Sequence, residues 1–145
     1  MIRKMLVALV IGSCLALAGL APAWAQDQGS VKATIPFAFN VGAKVLPAGS
    51  YEIRRLTAGS VGINNERTGD CAVALVMNRE PQKPSGDAEL VFNQYGESYF
   101  LSEVRTWNTE RDLPMSKLER RAASEAAESA SNPASREVYV AALVQ

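Results

Sequence analysis

Histidine is absent from all 145 residues. That removes Ser-His-Asp and Cys-His catalytic arrangements, histidine-ligated zinc, and the usual general base near neutral pH. Cysteine is nearly absent: only Cys14 and Cys71 occur. Once the N-terminal segment is set aside, Cys71 stands alone and no internal disulfide can form. It lies in an apolar stretch with no basic neighbour to lower its pKa, so it reads as a small core residue rather than a reactive thiol. Neither charge is in excess, with 15 basic and 15 acidic residues. A balanced chain does not attract a phosphate backbone, and nucleic acid is not an expected partner.

Long apolar runs are also scarce, and the one present is at the start. Arg3 and Lys4 precede Met5 to Leu20, and small residues follow in Ala21-Pro22-Ala23-Trp24-Ala25. A charged start, an apolar middle and alanines at the minus-three and minus-one positions describe a signal peptide over residues 1–25. Cleavage is expected between Ala25 and Gln26. The competing reading is a lipoprotein, because Ile11-Gly12-Ser13-Cys14 resembles a lipobox. Against it, Leu15 to Ala25 would then remain as an apolar tail. No later segment is long and apolar enough to span a membrane. Removal of residues 1–25 leaves 13 basic and 15 acidic residues, a net charge of −2. The expected location is therefore exported, either periplasmic or secreted. The remaining residues, 26–145, suit a single domain that relies on its own core.

What is present is alternation. Val31, Ala33, Ile35, Phe37 and Phe39 recur with the period of two that turns one face of a strand inward. Pro36 cannot donate to a ladder, so this strand lies at an edge or breaks there. Leu46-Pro47-Ala48-Gly49 makes a turn, and Tyr51 and Ile53 then oppose Glu52 and Arg54, completing a hairpin. Val61 and Ile63 continue the pattern. Cys71 to Met77 is apolar on both faces, which predicts a central strand or one lying under a helix. Leu90 and Phe92 turn through Gln94-Tyr95-Gly96-Glu97 into Ser98 to Thr106, a second hairpin in which Tyr99 and Leu101 oppose Phe100 and Val104.

One helix is expected, at about 116–130. Ser116-x-x-Glu119 has capping-box spacing, Leu113-Pro114 breaks the chain just before it, and Leu118, Ala122 and Ala126 form a thin apolar stripe. A final strand is expected at about 136–144. About seven strands and a helix argue for a mainly all-β fold. The expectation is an antiparallel meander closed as a small barrel or folded as a sandwich, with the C-terminal helix packed on it.

Several of these residues form a longer pattern. Ile35-Pro36-Phe37-x-Phe39-x-Val41-Gly42-x-Lys44-x-Leu46-Pro47-Ala48-Gly49-x-Tyr51-x-Ile53 resembles the opening of a family of small, exported, uncharacterised bacterial β-proteins. Tyr99-Phe100-Leu101 and Leu113-Pro114-x-Ser116-Lys117-x-Glu119-Arg120 resemble later parts of that family. The resemblance implies the fold and the address, and brings no activity or functional residue with it.

Chemistry has few places to reside. Glu110 with Asp112, and Glu66 with Asp70, are the acid pairs to weigh for carboxylate hydrolysis, and both read as solvated loop charges. Asn65, Glu66 and Asp70 lack the ordered alternation of a calcium loop. No catalytic residue, cofactor or metal is therefore expected. The aromatic residues Tyr95, Tyr99 and Trp107 are the candidates for surface binding, weighed against core filling. The leading expectation is a non-catalytic binding or structural domain acting on an envelope partner or small ligand. The alternative is a barrel carrying a small hydrophobic molecule inside, and the weaker one is a carboxylate hydrolase.

Overall fold

Val31, Ala33 and Ile35 face inward along β1 (Val31–Ile35), as their alternation requires. The chain bends at Pro36 and resumes as β2 (Phe39–Val41), so proline breaks the strand as expected. It does not mark an edge, because β1 lies between two partners. A two-residue turn leads into β3 (Lys44–Leu46), where Gly42 has φ of +61°. Glycine first and an ordinary residue second is the pattern of a II′ turn. This small hairpin is inserted into the larger one. β4 (Gly49–Thr57) returns beside β1 with Ala33 opposite Tyr51 and Val31 opposite Ile53. Tyr51 is buried, and its hydroxyl donates to the Pro47 carbonyl at 2.6 Å, fixing the turn before it.

The computed structural model describes residues 29–81, 86–129 and 135–145. The leader, Cys14, the Ala25–Gln26 cleavage site and the expected helix end at Ala130 lie outside the described residues. The strands that follow are β5 (Ser60–Asn65), β6 (Cys71–Leu75), β7 (Met77–Arg79), β8 (Ala88–Tyr95), β9 (Ser98–Thr106) and β10 (Thr109–Asp112). Helix α1 (Lys117–Ser129) and β11 (Arg136–Val144) complete the order. The fold is mainly β, with eleven strands among the described residues rather than about seven. The additional ones are the β2–β3 hairpin and the short β7 and β10, whose three or four residues are too few to show a period.

One sheet runs in the order β3-β2-β9-β8-β11-β1-β4-β5-β6, with β10 bridging β9 and β7. It curls into a nearly closed barrel. Pairing is antiparallel except for one parallel bridge between Asn40 and Phe100. β11 is the joint between halves: Arg136 to Ala142 pair with β8, and Leu143 and Val144 pair with β1. Phe39, Tyr51, Phe92, Leu46 and Ile35 fill the interior, each less than 2% exposed. Phe92 is at its centre, edge-on to Phe37 at 5.2 Å and to Phe39 at 5.4 Å between centroids.

Two expectations of facing are corrected. Parity put Val104 opposite Leu101, yet both face the interior. β9 carries a bulge, because Phe92 pairs with Leu101 and Val91 with Glu103, leaving Ser102 over. The released backbone is used, with Ser102 Oγ donating to the Val91 carbonyl and the Ser102 carbonyl accepting from Leu113 N–H. The second correction concerns β6. It is neither central nor under a helix but at the end of the sheet. Ala72, Ala74 and Val76 point inward, while Val73, Leu75 and Met77 point to solvent. Cys71, expected in the core, is exposed.

Candidate functional site

Among the described residues β6 has a single ladder partner, β5. Val76 N–H donates to the Gly59 carbonyl at 2.9 Å in the register of that pair. Bonded and open positions alternate along an antiparallel ladder, so Ala72 and Ala74 turn their backbone groups to β5. Cys71, Val73 and Leu75 turn theirs to the open side. Lys44 Nζ reaches across from the β2–β3 hairpin and donates to the Cys71 carbonyl, occupying the first open acceptor. A lysine placed on a free strand edge is a common guard against indiscriminate pairing.

Beyond Lys44 the seam between β6 and β9 widens into a cleft of about 190 Å³. Val73, Ala74 and Leu75 form one wall and Phe100 and Leu101 the other. Asn40 and Gly42 close one end, and Leu113, Pro114, Ser116 and Glu119 the other. Outside the cleft the surface is apolar: Val73 is 67% and Leu75 71% exposed, and Leu56 folds over Gly62, which faces Val73 across the ladder.

Glu119 is the unusual lining residue. Its carboxylate is buried, and Oε1 accepts from Asn93 Nδ2 at 3.0 Å and from the Tyr95 hydroxyl at 3.5 Å. Half of the capping box forms: Glu119 N–H donates to Ser116 Oγ at 3.0 Å. The glutamate side chain turns inward onto β8. The buried stripe of α1 therefore starts at Glu119 and continues through the half-buried Ala122 and Ala126, while Leu118, expected in it, is exposed. Glu119 shares the three- and seven-residue spacing of those alanines, and that is the signal that could have placed it inside. Among the described residues no basic side chain pairs with it. Its two hydrogen-bond donors are both neutral side chains.

Tyr95 responds to this arrangement. Burial first, and then the Glu119 carboxylate, hold its phenol above the ordinary tyrosine value. A pKa raised by folding contributes stability that is complete below the unfolded value and fades as pH climbs through the folded one. In denaturant titrations between about pH 8 and pH 11, the unmodified protein is expected to lose stability more steeply above about pH 10 than Tyr95→Phe. Equal slopes would remove Tyr95 from this role.

The aromatic residues named from sequence are not brought together. Tyr95 is buried under α1 beside Phe100, Tyr99 is half-buried and stacked on Phe37 at 4.0 Å, and Trp107 is exposed in the β9–β10 turn. Tyr99 and Trp107 are eight positions apart on one extended run, about 26 Å at strand rise. Three of the four paired acids are engaged locally. Asp112 pairs with Arg79, Glu66 with Lys32 at 2.6 Å, and Asp70 accepts from Thr68 at 2.6 Å. Asn65 Oδ1 takes the N–H groups of Arg67 and Thr68, shaping its own loop. Among the described residues no group of three or more acid or cysteine side chains is placed to hold a metal ion. Nor does any described helix have the length and apolarity to cross a membrane. Arg111 is a separate oddity: burial and the charge of Arg55 lower its guanidinium pKa, and its buried Nε has no hydrogen-bond partner among the described residues. No family model, curated protein or solved structure matches this chain.

Proposed function

We propose that the protein is an exported, non-catalytic binding domain of the cell envelope or its surroundings, and that its ligand sits in the β6–β9 seam. The observation that carries this reading is the cleft itself, which joins a strand edge with no ladder partner among the described residues, an exposed apolar lip and a buried carboxyl group that pairs with no described basic side chain. Contiguous exposed apolar surface beside a concavity is the usual mark of a binding site. The address rests on the leader-like residues 1–25 and on the resemblance of the Ile35–Ile53 pattern. An apolar molecule carried inside the barrel would have to displace Phe39, Tyr51 and Phe92, which already fill it. Hydrolysis by paired carboxylates needs a second acid beside Glu119, and the described cleft lining supplies none.

A photo-crosslinking residue placed at Leu75 is expected to trap a bound species in the producing cell, and the same residue at Arg54, on the outer face of β4, is not. Equal trapping at both positions, or none at Leu75, would overturn the assignment of the seam.

A further inference from the structure

We infer that Arg55 and Arg111 form a second binding site, for a phosphate-type oxyanion, where the β4–β5 turn meets the β7–β10 pair. It is separate from the seam, since neither arginine lines that cleft. Register puts both residues on the inward face of the sheet. Arg55 pairs with Val61 and Arg111 with Val104, and residues directly opposite in a ladder share a face. Val61 and Val104 both belong to the buried interior. A hydrogen bond joins the two walls at this point. Asn78, which pairs with Arg111, donates from Nδ2 to the Ala58 carbonyl in the β4–β5 turn at 2.6 Å. Arg55 lies just before that turn, so the tie brings both guanidinium groups to the same rim of the barrel.

No acid answers this pair. Arg54, Arg79 and Arg105 each hold a carboxylate. Among the described residues Arg55 and Arg111 hold none, and neither side chain donates a hydrogen bond. Burial, and then the charge of Arg55, work against the charged form of Arg111. A guanidinium keeps its proton in proteins, so the repulsion is relieved by a bound anion rather than by neutralisation. Two permanent positive charges without a counter-charge select a dianion, because a monoanion leaves one of them unanswered. The planar forks of the two arginines select oxygens, each fork donating to a pair. A phosphate dianion offers its oxygens in a tetrahedral array, so two forks that are not coplanar can share it. A carboxylate presents a single edge and a single charge.

The probe is inorganic phosphate, titrated by calorimetry into the purified protein in a buffer free of other oxyanions. Saturable one-to-one binding is expected. Arg55→Gln and Arg111→Gln should each weaken it at least about tenfold, the usual cost of losing a charged hydrogen-bond donor. Arg54→Gln removes the same charge one position away on the outer face, and should change it less than about twofold. Acetate should bind at least about tenfold more weakly than phosphate. Saturating phosphate should raise Tm in the unmodified protein and in Arg54→Gln, but not in Arg55→Gln. If Arg111→Gln does not fold, the comparison of Arg55→Gln with Arg54→Gln still decides. Methyl phosphate binding as well as phosphate would identify the occupant as the end of a phosphomonoester, and its exclusion would identify the free ion; both support the site. Absence of saturable phosphate binding, equal losses in Arg54→Gln and Arg55→Gln, or acetate binding as tightly as phosphate overturns the inference.

Discussion

Deletion of Arg136 to Gln145 is expected to abolish cooperative folding. β11 is hydrogen-bonded to β8 on one side and to β1 on the other, so it is the lateral connection between the two halves of the sheet. Its removal leaves two new unpaired edges and takes Ala142, Val138 and Val140 from the interior. Each lost backbone hydrogen bond is worth about 1 kcal/mol net, and seven β8 positions and two β1 positions are unpaired. The sum is comparable with the roughly 5–15 kcal/mol that stabilises a whole domain. The truncated chain should show no sigmoidal thermal transition by circular dichroism, and a synthetic peptide of residues 136–145 added in trans should restore one. A truncated chain that melts cooperatively without the peptide would mean that the halves hold together through the interior alone.

The second large effect is expected at Phe92. Its ring is fully buried and contacts Phe37 and Phe39 edge-on, so truncation opens a cavity bounded by rigid rings that cannot collapse into it. Phe92→Ala should cost about 3–5 kcal/mol, seen as a fall in Tm of roughly 10–20 °C for a domain of this size. Phe92→Leu, which keeps much of the volume, should cost less than half as much. A loss under about 1 kcal/mol for the alanine variant would contradict close packing around this ring. Tyr99→Ala is a useful contrast, since Tyr99 is only half-buried and its stacking partner Phe37 is itself at the margin of the core.

Alternation makes the interior legible wherever one face is large and apolar and the other polar. Val31 to Ile35, Tyr51 with Ile53, and Val61 with Ile63 face inward as their spacing requires. The pattern cannot choose between faces when both are apolar, and β6 is the case in point. Val73 and Leu75 are larger than Ala72 and Ala74, and size suggests the wrong face, since it is the alanines that are buried and the larger residues that are exposed. Val104 departs from parity for a different reason. A single extra residue in β9, Ser102, shifts the alternation without leaving any mark in composition. At the candidate site, the Ser116–Glu119 spacing marks the start of the helix but not the turn of Glu119 toward Asn93, which depends on a strand 26 positions away. The free edge of β6 is equally hidden, because neighbour relations across a barrel are set by the whole chain.

The position of β11 also bears on when this chain can acquire its shape. It follows every other described strand in the order of synthesis, yet it lies in the middle of the sheet. A growing chain therefore passes through manufacture with its halves unlocked, and the barrel closes only after the final strand emerges. Such a polypeptide stays threadable until late, as the export proposed above would require of it.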